Sequence, residues 1–281
     1  MIRRFLIGIG LLCLFSCNNV STPDKTSDKT KGDDEVVMAL LYQQKAAEYR
    51  ALCLQAYNIA RERVAAAARN QKSALPLAVV TDLDETALDN SANDAWLYKH
   101  DTTYWPVQFN HWCLAAAADS IPGSVTFFRF VNGLRDRKGR GVDIYYVSNR
   151  DDSLVWATMK NMDSLGFPQI SRSHFLFKKD VSSKQSRRDS ISAGHAIVAL
   201  LGDNLIDVDS AFDNKGPVAR LSATDRLSAR WGERYIMFPN ATYGDWENAL
   251  YKDYMKAHHA YPPVAARDSI RVSMLRVYPN P

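Results

Sequence analysis

Short apolar runs alternate with helical patterns from residue 77 onward. Leu77–Thr81 is apolar and β-branched, as is typical of a strand buried on both faces. Similar runs follow at Val142–Val147, Phe175–Phe177, Ile197–Leu201 and Tyr235–Phe238. Strand–helix–strand alternation predicts an α/β fold in which a parallel sheet carries helices on both faces.

The segments around these runs have helical signals. Val37–Ala68 is rich in helix formers and lacks Gly and Pro, and its apolar residues follow a spacing of three and four. Ser124 is a suitable N-terminal cap for a helix with Phe127 and Phe128, and Gly166 is a suitable C-terminal stop for the helix after Asp151. In such folds the functional site lies at the carboxyl ends of the strands.

Two carboxylates, Asp82 and Asp84, directly follow the first predicted strand. They point the same way if the strand continues, and they would repel each other unless a cation or a proton is shared. Mg²⁺ with oxygen ligands would relieve this repulsion. An acidic turn is the alternative. A calcium loop of the EF-hand type is disfavoured because its sixth position would be Ala87 and its twelfth Asn93.

Other predicted strands end in complementary groups. Ser148 and Asn149 follow the second strand at a predicted helix start, where a hydroxyl and free backbone N–H groups can hold an anion. Gly202 and Asp203 follow a later strand, and Asp203 can supply a further carboxylate to a metal ion.

A basic stretch lies between these strand ends and contains Lys178, Lys179, Lys184, Arg187 and Arg188. We expect most of these charges on a solvated helix face, with one lysine facing inward to neutralise phosphate and carboxylate charge. A carboxylate pair, a hydroxyl, a lysine and a further carboxylate together predict phosphoryl transfer.

The N-terminus has the three parts of a secretory signal: Arg3 and Arg4, an apolar run to Phe15, and Ser16 before Cys17. The apolar run is well short of the roughly 20 residues that a membrane-spanning helix needs. Leu14-Phe15-Ser16-Cys17 resembles a bacterial lipobox, which predicts a signal peptide at 1–16 and lipidation of Cys17. An ordinary signal peptide with an incidental cysteine is the alternative.

Residues 17–35 have almost no apolar side chains, which predicts a flexible tether. The formal net charge is +4, and Arg3 and Arg4 contribute two of these charges. This near balance gives no reason to expect nucleic-acid binding. Cys53 and Cys113 remain after the signal and are either a disulfide pair or buried free thiols.

Several motifs resemble those of a known family. Asp82-Leu-Asp-Glu-Thr86, Ser148, Lys184 and Gly202-Asp203-Asn204 resemble the four motifs of the haloacid dehalogenase (HAD) superfamily of phosphatases. More narrowly, the chain resembles the class C acid phosphatases, the bacterial lipoprotein 5′-nucleotidase group. This likeness runs from about Ala46 to Leu250 and includes Leu88-Asp-Asn-Ser91 and Tyr243-Gly-Asp-Trp246.

The resemblance implies a Rossmann-like HAD fold with a small, mainly helical cap. We place the phosphatase domain at 36–260, with cap elements at roughly 36–72 and 92–122, and a loose tail at 261–281. The resemblance also favours a lipid-anchored protein of the bacterial cell envelope, at the outer membrane. The sequence leaves the oligomeric state open, a homodimer included.

The resemblance implies catalytic roles for three residues. Asp82 would attack phosphorus and become the aspartyl phosphate. Asp84 would protonate the leaving alcohol and then activate water. Lys184 would bridge Asp82 and the phosphoryl group, and its spacing to Gly202-Asp203 favours it over Lys178 and Lys179.

Binding roles follow in the same way. Ser148 and the amide of Asn149 would hold phosphate oxygens. The cofactor would be Mg²⁺, with Asp82, the backbone carbonyl of Asp84 and Asp203 as ligands. Asp207 would be an additional ligand or would support the others.

Aromatic residues would select the substrate, a small phosphomonoester. By resemblance, Trp105 and Tyr243 would sandwich a nucleotide base and Trp112 would line the same pocket; ordinary core aromatics are the alternative. The sequence departs from the family pattern at Asn93-Asp94, where relatives carry Pro-Tyr, and at Ala241-Thr242, where they often carry Pro-Met.

Three functions therefore remain open. The first is a 5′-nucleotidase, and the second is a phosphatase for other small phosphomonoesters. The third, a non-catalytic surface lipoprotein, is disfavoured because every acidic and basic member of the motifs is present.

Overall fold

A computed structural model of the chain describes residues 31–70 and 72–278. The expected signal peptide at 1–16, Cys17 and residues 18–30 of the expected tether lie outside the described residues. Residues 31–35, the last of the expected tether, begin the first helix.

The helices are α1 (Lys31–Lys45), α2 (Ala47–Asn70), α3 (Ser91–Lys99), α4 (Pro106–Ala115), α5 (Ser124–Gly133), α6 (Val155–Leu165), α7 (Gln185–Ser192), α8 (Pro217–Arg226), α9 (Asp245–Leu250), α10 (Lys252–His258) and α11 (Val264–Ser273). The strands are β1 (Leu77–Thr81), β2 (Leu88–Asp89), β3 (Asp119–Ser120), β4 (Val142–Asp151), β5 (Phe175–Lys178), β6 (Ala196–Gly202) and β7 (Tyr235–Met237).

Five strands form one sheet in the order β5-β4-β1-β6-β7, and all of their pairings are parallel. These are the five strands that the apolar runs predict. Alternate residues of β1 enter different cores: Leu77 and Val79 join one cluster, and Ala78 and Val80 join the other. Helices α2, α5 and α6 contribute to the first cluster and Ile191 of α7 to the second. The prediction of a parallel sheet between helical layers is confirmed.

A helical group lies beside the carboxyl end of β1. Helix α1 contacts α3, and the Nε2 atoms of Gln43 and Gln44 donate to Asp89 Oδ1 and to the Ser91 carbonyl, both at 3.0 Å. The short antiparallel strands β2 and β3 pair with each other and flank α3 and α4 in the chain. We refer to α1, α3 and α4 as the cap.

Helix α2, which lies within the expected cap element at 36–72, packs against the main core. Ala46 breaks the predicted helix into α1 and α2. Helix α2 then packs against α5, β6 and β7, with Cys53, Ala56, Tyr57 and Ala60 buried in the main core. Helix-forming composition alone does not say which surface a helix will cover.

The C-terminal segment is also more ordered than predicted. Helix α11 lies within the expected loose tail and is joined to α9, because Arg271 Nη2 contacts Glu247 Oε1 at 2.5 Å and Arg271 Nε donates to the Tyr251 hydroxyl at 2.7 Å. Cys53 and Cys113 are both buried free thiols, not a disulfide. Across residues 31–70 and 72–278, no helix combines the length and apolar character needed to cross a membrane.

Candidate active site

Asp82 lies at the carboxyl end of the central strand, directly after β1, and its backbone N–H donates to the Leu201 carbonyl of β6 at 2.9 Å. Lys184 Nζ contacts Asp82 Oδ1 at 2.5 Å and Asp207 Oδ1 at 2.6 Å. All three side chains are buried. Lys184, rather than the half-buried Lys178 or the exposed Lys179, is therefore the lysine at this site.

Three carboxylates share this edge of the sheet. One oxygen each from Asp82, Asp203 and Asp207 lies within 4.8 Å of the others, which is close enough to hold one metal ion. Asn240 Nδ2 donates to Asp203 Oδ2 at 2.8 Å and fixes that side chain from the loop after β7. Asp84, whose predicted role as a ligand rests on its backbone carbonyl, does not contribute its side chain to this group.

Gly202 allows Asp207 to reach the group. A Cβ atom at position 202 would collide with the Cβ and carboxylate of Asp207. The Asp207 carboxylate also accepts the Asn204 N–H at 3.0 Å, which holds the turn after β6. The glycine is therefore a packing requirement of the carboxylate group.

The charge of this group is unbalanced. Burial and the neighbouring Asp207, Asp203 and Asp84 raise the pKa of Asp82 well above its usual range, although Lys184 opposes them. Burial and the charge of Asp207 raise the pKa of Asp203 to about 7. The buried carboxylates of Asp82 and Asp207 and the half-buried carboxylate of Asp203, with one lysine among them, form an oxygen-rich site of net negative charge that suits a divalent cation.

Asp84 is held by Arg150, a residue that the sequence analysis did not assign to the site. Arg150 Nη2 and Nε approach Asp84 Oδ1 at 2.8 and 3.0 Å, and Asn90 Nδ2 donates to the same oxygen at 2.8 Å. Burial by itself raises the pKa of Asp84, but the guanidinium outweighs it and the pKa is lowered. The available signal was the position of Arg150 directly after Asn149.

Ser148 and Asn149 lie within β4, which continues to Asp151, so the prediction that they follow the strand at a helix start is wrong. A second arginine holds this part of the strand. Arg187 donates to the Ser148 carbonyl and to Asn149 Oδ1, both at 2.6 Å. The Ser148 hydroxyl accepts the Arg150 N–H at 3.1 Å and lies 3.4 Å from Asp84 Oδ2. Arg188 donates to the carbonyls of Ile206 and Asp207, so the prediction of a solvated basic face is wrong for Arg187 and Arg188.

The predicted substrate-pocket aromatics occupy different environments. Trp112 packs against the main core and donates from Nε1 to Asn90 Oδ1 at 2.8 Å. The Tyr243 hydroxyl contacts Glu85 Oε2, and Glu85 is fully buried beside Asp84. Trp105 and Tyr243 are exposed at 40% and 37%, and no ring contact joins them within the described residues.

These groups define the class of protein. A buried carboxylate beside a lysine, a serine hydroxyl and further carboxylates, gathered near the carboxyl ends of parallel strands, are the groups that a phosphohydrolase needs.

The comparisons identify the family. Residues 13–246 match the family model described as HAD superfamily, subfamily IIIB (acid phosphatase). The class C acid phosphatase from Bacillus anthracis is 37% identical, with a TM-score of 0.78 over 88% of this chain and 98% of that chain. The structure of that enzyme with tungstate bound has a TM-score of 0.79 at the same identity and coverage. The chain belongs to the class C acid phosphatases of the HAD superfamily, which hydrolyse phosphomonoesters.

Proposed function

We propose that the protein is a Mg²⁺-dependent phosphatase that acts on nucleoside monophosphates through an aspartyl-phosphate intermediate on Asp82. The observation that carries the proposal is the position of Lys184 between the buried carboxylates of Asp82 and Asp207. A lysine in this position can neutralise a phosphoryl group while it approaches the Asp82 oxygen. The tungstate bound to the Bacillus anthracis relative, an oxyanion, supports an oxyanion site in this family.

In the first step an Asp82 oxygen forms a bond to phosphorus while the ester oxygen leaves and takes a proton from Asp84. Ser148, the Asn149 amide and Lys184 hold the other phosphoryl oxygens. In the second step Asp84 takes a proton from water, the water oxygen attacks phosphorus, and the Asp82 carboxylate is released with inorganic phosphate.

Within this proposal Asp84 must carry a proton when the substrate reacts. Arg150 favours the charged carboxylate before substrate binds. A phosphate dianion beside Asp84 acts in the opposite direction, because a like charge nearby raises the pKa of a carboxyl group. Arg150 would orient Asp84 throughout, which we assign as a positioning role.

Asp82, Asp203 and Asp207 would hold the Mg²⁺ ion, together with the Asp84 carbonyl that the resemblance implies. Oxygen ligands and a shortage of positive charge fit a hard divalent cation. When bound, the ion supplies positive charge that balances the carboxylates and the phosphoryl group.

Removal of divalent cations should abolish hydrolysis of p-nitrophenyl phosphate, and Mg²⁺ should restore it. The measurement is the initial rate after dialysis against EDTA and after stepwise addition of Mg²⁺ or Ca²⁺. Ca²⁺ is the matched control, because it takes more ligands at longer distances than this group offers. Full activity in EDTA would exclude a metal-dependent route.

We expect Tyr243→Ala to lower kcat/KM for nucleoside 5′-monophosphates by roughly 5–100-fold, since the ring would stack on the base. Sugar phosphates should change little. Tyr243→Phe keeps the ring face but loses the contact with Glu85, so it should retain the nucleotide preference. Trp156→Ala, an exposed aromatic on α6, is the control. An equal loss on both substrate classes would contradict stacking.

We also propose that a lipid on Cys17 anchors the enzyme to the cell envelope, at the outer membrane. The lipobox resemblance of Leu14-Phe15-Ser16-Cys17 supports this. Cys17→Ser should move the enzyme from the membrane fraction to the soluble fraction, as measured by activity in each. Continued membrane association of the variant would refute the anchor.

A further inference from the structure

Two acceptor oxygens in the cap are shielded from solvent and accept no hydrogen bond from any residue in 31–70 or 72–278. They are Asp94 Oδ2 in α3 and Gln108 Oε1 in α4. Buried polar atoms without a partner are rare in native proteins, because their desolvation is not compensated. A ligand that donates hydrogen bonds would supply the missing partners of these two oxygens.

The two side chains are connected by Asn93. Gln108 Nε2 donates to Asn93 Oδ1 at 2.6 Å, and Asn93 Nδ2 donates to Asp94 Oδ1 at 3.3 Å. When Asp94 is ionised it sets the direction of this chain, since turning the Asn93 amide would bring its oxygen against the carboxylate. The Gln108 amide group then donates its N–H to Asn93, and the Gln108 Oε1 atom is left as an acceptor.

Both residues lie one helical turn from a member of the hydrogen-bond chain that reaches Asp84. Asp94 lies one helical turn after Asn90, whose carbonyl accepts its N–H at 3.2 Å, and Gln108 lies one turn before Trp112. Asn90 donates to Asp84 at 2.8 Å and accepts from Trp112 at 2.8 Å. Asp94 therefore lies on the side of α3 that follows from Asn90, and Gln108 lies on the side of α4 that carries Trp112. Asn90 in turn contacts Asp84, the residue at which the leaving group would depart.

We propose that Asp94 and Gln108 recognise the leaving group of the substrate by accepting hydrogen bonds from its hydroxyl groups. The substrate class is then phosphomonoesters of polyhydroxylated alcohols, which includes the ribose of a nucleotide. This inference rests on the proposed phosphatase function and deepens it.

The charge of the site supports a neutral, donor-bearing group. Burial and the charges of Asp89 and Asp84 raise the pKa of Asp94 to about 7, despite the hydrogen bond from Asn93. A hydrogen bond donated by a ligand would stabilise the ionised form of this buried carboxyl group. An anionic leaving group would meet repulsion from Asp94, Asp84 and Asp89.

The test compares two substrates with the same carbon skeleton: glycerol 2-phosphate carries two hydroxyl groups, and isopropyl phosphate carries none. We expect the wild-type enzyme to favour glycerol 2-phosphate in kcat/KM by roughly 10–100-fold. Gln108→Met and Asp94→Leu, which remove the acceptors, should reduce the ratio towards one. Asp94→Asn keeps an acceptor oxygen and should retain part of the preference.

Leu114→Ala is the control on α4, where this side chain is 58% exposed, and it should keep the wild-type ratio. If Asp94→Leu does not fold, Gln108→Met carries the test, because the two side chains of that substitution are nearly isosteric. A wild-type ratio near one, or an unchanged ratio in folded Gln108→Met, would overturn the inference. Absence of hydrolysis of both esters and of p-nitrophenyl phosphate would instead refute the proposed function.

Discussion

Replacement of Asp82 with Asn should lower kcat for every phosphomonoester by at least about 1,000-fold. The amide has nearly the shape of the carboxylate but cannot form the bond to phosphorus. The measurement is single-turnover hydrolysis of p-nitrophenyl phosphate at saturating Mg²⁺. Acid-quenched samples of wild-type enzyme should contain protein-bound phosphate, and samples of the variant should not.

The same substitution should leave the fold intact. Folding raises the pKa of Asp82, so the unfolded chain releases this proton at a lower pH than the folded protein does. The free energy of unfolding therefore falls as the pH rises above the unfolded pKa of about 4. Without metal at pH 7, Asp82→Asn should therefore melt at or above the wild-type temperature, and this difference should vanish below about pH 4. Asp180→Asn, at an exposed site, is the control. Near wild-type activity in Asp82→Asn would show that Asp82 is not the nucleophile.

Replacement of Lys184 with Met should reduce both activity and stability. Its side chain is 4% exposed and is the cation between Asp82 and Asp207. Removing one partner of a buried ion pair costs about 3–5 kcal/mol, which corresponds to a fall in Tm of about 6–20 °C for a domain of this size. We expect kcat to fall at least about 100-fold.

Mg²⁺ separates the two effects of this substitution. The ion should recover part of the Tm of metal-free Lys184→Met, because it replaces the missing positive charge among the carboxylates. It should not recover kcat, since the lysine contact with the phosphoryl group is still absent. Lys179→Met, an exposed lysine nearby in sequence, is the matched control and should behave as wild type. Activity of Lys184→Met within about threefold of wild type would contradict the assigned role.

Much of the architecture could be read from the sequence because the signals are local. Each apolar run that predicts a strand forms one, and the polar residues that follow three of them meet at one edge, since parallel strands end on the same side. Asp82 and Asp203 directly follow β1 and β6, as this rule requires, whereas Ser148 lies within β4, which continues to Asp151. The class C acid phosphatase family and the HAD fold are confirmed.

Other features depend on partners distant in sequence. Arg150 had no pattern of its own, and its role follows from a contact with Asp84 across 66 residues. The composition of the alanine-rich α2 suits a helix that covers either a cap or a sheet. In the structure α2 packs against α5 and β7 and so belongs to the main core. The C-terminal α11 has few local signals and is held by the contact between Arg271 and Glu247.

By itself the sequence determined which residues could carry phosphoryl-transfer chemistry and at which end of the sheet they would lie. Strand periodicity and parallel topology are sufficient for that. The family resemblance already favoured Lys184 over the other lysines. Only the tertiary structure decided that Lys184 also contacts Asp207, that Arg150 holds Asp84, and that Asp94 and Gln108 keep unpaired acceptors in the cap. These outcomes depend on distances of a few ångströms between elements far apart in the chain, which no local pattern specifies.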